Sequence, residues 1–209
     1  MLLTLSTVVS VIAASASSAG AGTDSLMGGG VSRALAVVRA SQIRDVRYAL
    51  TLDVTGRDSS SGSVTARFRV TRPGDVILDF RGQRLGTVEV NGKALAAMDY
   101  NGAHLRIPAS AIVVGENAVT MSFVTKIAAA GASIIRYRDA TDGAEYLYTL
   151  LVPADANQLF PCFDQPDLKA RVSLRLLAPA EWRVVANSPA TASRGGSDGL
   201  PTEHQFAET

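Results

Sequence analysis

From residue 45 onward the chain alternates apolar and polar positions with a period of two. Val46, Tyr48, Leu50, Leu52 and Val54 interleave with Arg47, Ala49, Thr51 and Asp53, the pattern of a strand with one face buried. A polar turn over Gly56–Gly62 separates it from Val64, Ala66, Phe68 and Val70, which repeat the alternation. Shorter apolar runs at 76–80 and 87–90 and longer ones at 118–127, 170–179 and 181–188 predict further strands. Asn91-Gly92, Asn101-Gly102 and Asp142-Gly143 sit between such runs and predict tight hairpins, because Asn, Asp and Gly tolerate positive φ. Only residues 31–43 carry a helical pattern. Ser32 is placed to cap that helix, Leu35 and Val38 form its apolar stripe, and Arg33 and Arg39 fall on its solvent side. Turn signals about every ten residues with no second helix predict a mainly β fold: an antiparallel β-sandwich or saddle-like domain with one short N-terminal helix.

Residues 1–22 contain no charge, and Leu2–Ala14 has the length of a signal-peptide apolar region, too short to span a bilayer. Ala14-Ser15-Ala16 supplies a small-residue cleavage pattern, although no Lys or Arg precedes Leu2. The expected organisation is a signal peptide or leader over 1–22, a glycine-rich flexible linker over 23–31, and one β-domain over 32–209. That predicts an exported protein, periplasmic or secreted, with no membrane span.

Charge and composition narrow the chemistry. Twenty Lys+Arg against nineteen Asp+Glu give a net charge of +1, which argues against nucleic-acid binding driven by counterion release. The two histidines, His104 and His204, lie far apart in sequence, and Cys162 is the single cysteine. A zinc site from this chain alone would therefore lean on carboxylates, which zinc sites seldom do, and no intramolecular disulfide can form. No HExxH and no phosphate-binding glycine loop occurs. Gly195-Gly196-Ser197-Asp198-Gly199 matches G-x-S-x-G, but its polar flanks lack the strand and helix that a nucleophile elbow requires, so it reads as a surface loop. His104 reads as a partly exposed sheet residue, Arg67 and Arg69 as a solvated face, and Trp182, Tyr100, Tyr146 and Tyr148 as packing or sheet-face aromatics.

Residues 146–170, YLYTLLVPADANQLFPCFDQPDLKA, differ in texture. Pro153, Pro161 and Pro166 interrupt regular structure while Phe160, Cys162, Phe163 and Leu168 remain apolar, as in a loop pinned to the domain body. Asp164 is placed to accept backbone N–H bonds, Lys169 to lie near Asp164 or Asp167, and Cys162 to act as a small buried hydrophobe.

The run Phe160-Pro161-Cys162-Phe163-Asp164-Gln165-Pro166-Asp167-Leu168-Lys169-Ala170 resembles the N-domain signature of the aminopeptidase N family of zinc metallopeptidases, the HExxH gluzincins. The EVNG hairpin, VVGENAVTMSF, the RYRDATDGAEYLYT run and APAEWRVVAN follow in that family's order, so the resemblance covers about residues 32–209. It implies a saddle-shaped domain that packs beside a thermolysin-like catalytic domain and walls the substrate cleft. Phe160, Pro161, Phe163, Asp164, Pro166 and Lys169 would be its structural motif. Zinc and the catalytic residues would come from a catalytic domain, in cis or as a separate chain, and the expected partner is a peptide substrate. This chain alone is expected to be an inactive fragment that ends before the family's last N-domain strand. Where family members carry polar residues that line the first side-chain pocket and help hold the substrate amine, this chain has Leu150 and Val152, which cannot accept hydrogen bonds from an ammonium. A stand-alone β-sandwich module for peptide or glycan, or a nonfunctional gene remnant, stay open as alternatives.

Overall fold

The computed structural model describes residues 25–197 and 199–209; the expected export signal lies outside them. One helix, α1 (Arg33–Gln42), opens the domain, and the Ser32 hydroxyl caps it by accepting from the Leu35 amide at 3.1 Å. Strands follow in the order β1 (Ile43–Asp53), β2 (Ser59–Val70), β3 (Val76–Asp79), β4 (Arg84–Val90), β5 (Lys93–Ala94), β6 (Asp99–Tyr100) and β7 (His104–Ile107). After these come β8 (Gly115–Ala128), β9 (Ile134–Arg138), β10 (Glu145–Thr149), a single helical turn α2 (Ala156–Leu159), β11 (Ala170–Ala178), β12 (Ala190–Gly195) and β13 (Thr202–Phe206).

The larger sheet runs β10-β9-β8-β2-β1-β11-β13-β12, with β4 and β5 joined alongside β8; β3-β7-β6 form a second sheet. Pairing is antiparallel except for β1–β11 and the short β8–β9 contact. The alternation in the sequence becomes burial: Val46, Tyr48, Leu50, Leu52, Val64, Ala66, Phe68 and Val70 are all buried, and they share one core with β3, β7, β8 and the Leu159–Phe163 segment. Asn91 at φ 51° and Gly92 at φ 79° make the expected tight β4–β5 hairpin, and Gly143 at φ 71° turns β9 into β10.

Three expectations need correction. Arg39 is buried, because Leu35, Arg39 and Gln42 recur at helical spacing on the face turned to β3, where a carboxylate neutralises the guanidinium. His104 is 1% exposed, enclosed between β3 and residues 28–30. Residues 181–188 alternate in exposure but form no ladder. Both edges of β11 are occupied, by β1 and β13, so this stretch finds no free edge beside it before the chain enters β12.

Candidate functional site

β10 is the end strand of the larger sheet, and the two faces of its run have different fates. Leu147 and Leu151 pack against the core, whereas Tyr146, Tyr148, Leu150 and Val152 point outward, Leu150 51% and Val152 74% exposed. Tyr137 on β9 extends this outward strip, its ring 6.4 Å from that of Tyr146. Arg136 steadies the hairpin: it donates to the Gly56 and Arg57 carbonyls at 3.0 and 3.1 Å, pairs with Glu145, and lies 5.7 Å from the Trp182 ring. At the far end the Leu150 amide donates to the Ser133 carbonyl at 2.9 Å.

The segment after the strip is clamped into the body. Phe160 packs edge-on to Tyr48 at 5.3 Å and Phe163 edge-on to Phe68 at 5.2 Å; Pro161 and Cys162 are buried between them. The Phe163 amide donates to the Tyr48 hydroxyl at 2.8 Å. Cys162 and Asp79 exchange backbone hydrogen bonds of 2.7 and 3.0 Å. Asp164 accepts from the Asn157 amide and side chain at 3.0 and 2.6 Å, and Arg81 Nε holds Asn157 Oδ1 at 2.8 Å. Pro166 and Lys169 are exposed, and Lys169 forms no ion pair among the described residues, neither with Asp164 nor with Asp167.

Beneath this clamp lies a charged network that sequence reasoning missed. Asp79 receives four donors on two oxygens. Oδ1 accepts from Arg39 Nη2 at 2.6 Å and His104 Nδ1 at 2.8 Å; Oδ2 accepts from Arg39 Nη1 at 2.7 Å and the Asp164 amide at 2.9 Å. Burial alone would raise the carboxyl's pKa, but the bonds from His104 and Arg39 and the Arg39 charge hold it below its ordinary value. His104 Nε2 faces two carbonyls, Gly28 at 2.7 Å and Gly30 at 3.1 Å. Both ring nitrogens thus meet acceptors and both must donate, so His104 is an imidazolium. The bond to Asp79 raises its pKa against the opposing effect of burial. The site therefore holds two cations and one carboxylate.

These features have relatives. The profile of the peptidase M1 N-terminal domain matches residues 45–209. The chain belongs to the M1 peptidase family, as its N-terminal domain. It is 30% identical over 156 residues to aminopeptidase N of Streptomyces lividans, covering 72% of this chain and 18% of that protein. It is 38% identical over 65 residues to a probable M1 family aminopeptidase of Encephalitozoon cuniculi, covering 31% of this chain and 8% of that one. An M1 zinc metallopeptidase of Deinococcus radiodurans has the same fold, with a TM-score of 0.60 at 21% identity over 79% of this chain and 39% of its own. The chain thus spans under a fifth of the length of the Streptomyces and Encephalitozoon relatives.

The described residues of this M1 domain do not fit a zinc ion. Both His104 nitrogens are committed as donors, and burial pushes the Cys162 thiol well above its ordinary pKa. His204 Nδ1 lies 3.1 Å from Ser193 Oγ on the neighbouring strand. Among the described residues no three His, Cys, Asp or Glu side chains gather as a metal site. Ser197 lies in the β12–β13 hairpin, whose Gly195, Gly196 and Gly199 take positive φ; the next described element is strand β13 and not a helix, so the G-x-S-x-G match is a turn.

Proposed function

We propose that this domain serves an exported, zinc-dependent aminopeptidase and forms one wall of its substrate cleft. Zinc and the groups that activate water come from a catalytic domain, in cis or as a separate chain. The observation that carries the reading is the outward strip Tyr146–Tyr148–Leu150–Val152, held at one end by Arg136 and at the other by the buried Phe160–Gln165 clamp. Leu150 and Val152 contribute an apolar lining to the pocket for the substrate's first side chain. They leave the substrate amine to other residues, because neither can accept a hydrogen bond.

The purified chain should release no nitroanilide from alanyl- or leucyl-anilides, with or without added zinc. The domain together with its catalytic domain should do so in a zinc-dependent way. In it, Leu150→Gln and Val152→Glu should change KM by up to about tenfold, while the unfolding of the isolated chain shifts by less than about 0.5 kcal/mol at these exposed positions. Zinc-dependent turnover by this chain alone, or a KM indifferent to both substitutions, overturns the reading. Export is tested by cell fractionation and N-terminal sequencing: a cytoplasmic protein that retains Met1 refutes it.

A further inference from the structure

The solvent face of the larger sheet carries a row of arginines that neither the fold nor the cleft explains. The register sets Arg47 on β1 directly opposite Arg171 on β11 and, on its other side, directly opposite Arg67 on β2. All three side chains are exposed. Neighbouring strands lie about 4.8 Å apart, so three guanidinium stems stand abreast within roughly 10 Å. Like charges directly opposite in a sheet cost stability, and folding alone gives nothing back for that cost.

The adjacent row shows how the chain treats arginines it has no other use for. Arg69 stands opposite Glu116 and bonds it at 3.0 Å, with Asp45 a further 3.8 Å away. The Arg171–Arg47–Arg67 row has no such balance. Among the described residues its one anion is Glu208, whose carboxylate lies 3.3 Å from Arg47 and 3.8 Å from Arg171. Arg67 forms no ion pair among the described residues, and its neighbour on β8 is the small Ala118. The row keeps two uncompensated positive charges and an open flank.

Glu208 shows what this row takes. It is a carboxylate on a peptide segment that runs along β11, where the Thr209 amide donates to the Val172 carbonyl at 3.1 Å. The row runs across the strands, so an extended peptide that crosses them, unlike the Glu208 segment, places side chains two apart about 6.7 Å from each other on one side, enough for a second carboxylate to reach between Arg47 and Arg67. Guanidinium forks match carboxylates in two-point contacts. We propose that the Arg171–Arg47–Arg67 row is a docking surface for an acidic, extended peptide segment of a partner protein, and that Glu208 occupies part of it in the free domain. This surface lies on the sheet and is independent of the cleft reading.

The test is fluorescence anisotropy of the full chain with a fluorescein-labelled Glu-Ser-Glu-Ser-Glu peptide at low salt. Competitors are a serine-only peptide, a single-stranded oligonucleotide and heparin. Binding should weaken steeply with salt. Arg67→Ser should weaken it about fivefold, the loss expected for one exposed charge contact, with a thermal midpoint that does not fall, because the substitution breaks no ion pair and relieves the repulsion with Arg47. Glu208→Gln should tighten binding by removing the internal competitor, a result that general electrostatic adhesion elsewhere would not give. Failure to bind the acidic peptide, indifference to Arg67→Ser, or loss of affinity in Glu208→Gln overturns the proposal. Tighter binding of oligonucleotide or heparin than of the acidic peptide also overturns it, by assigning the row to another class of polyanion.

Discussion

The buried network predicts an asymmetry between two substitutions that sever the same ion pair. Arg39 and Asp79 are each 2% exposed and joined at two points. Removing one member of such a pair costs about 3–5 kcal/mol, because the other is left charged and out of water. Asp79→Asn falls at the upper end, about 4–5 kcal/mol. It leaves Arg39 with no carboxylate, and the introduced amide turns an N–H₂ group toward donors. His104 can escape by giving up a proton, but the guanidinium cannot. At 2–4 °C per kcal/mol for a domain of this size, the midpoint should fall by roughly 10–15 °C. Arg39→Met is milder, about 2 kcal/mol, because Asp79 keeps protonated His104 and the Asp164 amide and the remaining pair is neutral. Its losses are the Nε bond to the Ile77 carbonyl at 3.0 Å and the guanidinium lying 5.6 Å from the Phe163 ring. Urea unfolding near pH 6.5, followed by far-UV circular dichroism and Trp182 fluorescence, measures both and checks that the two probes coincide. An Arg39→Met loss equal to or above that of Asp79→Asn, or an Asp79→Asn loss under about 1 kcal/mol, would show that the site is not organised around the carboxylate.

Four further outcomes follow from the same region. His104 has a folded pKa above its ordinary 6.5, so its stabilisation is complete below that pH and is lost as pH rises through the raised value; urea midpoints should decline with rising pH, and His104→Gln should flatten that decline. Asp79 has a folded pKa below its ordinary 3.8, so its contribution holds above that value and disappears as pH falls through the lowered one; Asp79→Asn should remove that part of the acid transition. Tyr48→Phe strips the acceptor from the Phe163 amide and should cost about 1–3 kcal/mol by equilibrium unfolding, while Cys162, 2% exposed, should resist a disulfide reagent in the native state and react promptly in urea.

Most of what was legible in the sequence is local. The Ser32 cap, the Asn91-Gly92 hairpin and the inward parity of β1 and β2 each depend on residues within a few positions of one another. Arg39 was not legible, because an arginine among Ala and Val on a short helix looks the same whether it meets water or a carboxylate forty residues away. His104 was hidden for a similar reason: its acceptors at Gly28 and Gly30 belong to a stretch whose glycines read as linker. Alternation likewise does not distinguish parallel from antiparallel neighbours, so the β1–β11 pairing left no mark on either strand. The period-two pattern of 181–188 survives as alternating exposure without a ladder, an outcome fixed by the arrangement of other strands.

The signature run and the exposed positions before it divide their work physically. Phe163 and Asp164 give their backbone amides to Tyr48 and Asp79, Cys162 pairs with Asp79 through its backbone, and Gln165 Nε2 reaches the Ala36 carbonyl on α1 at 3.2 Å. The segment thus fastens to α1, β1 and β3 largely through main-chain groups, so its side chains are chosen for shape: two rings and a small thiol that fill the space below Tyr48 and Phe68. Such a run tolerates little change, because any misfit would break several buried hydrogen bonds together. Leu150 and Val152 are under no such constraint, since their side chains are exposed and the core contact of that stretch is made by Leu151. The clamp therefore fixes where positions 150 and 152 stand and leaves open what they are. A domain built this way can exchange polar for apolar residues at positions 150 and 152 without disturbing its fold, whereas a defect at Asp79 would displace the strip even though no strip residue had changed.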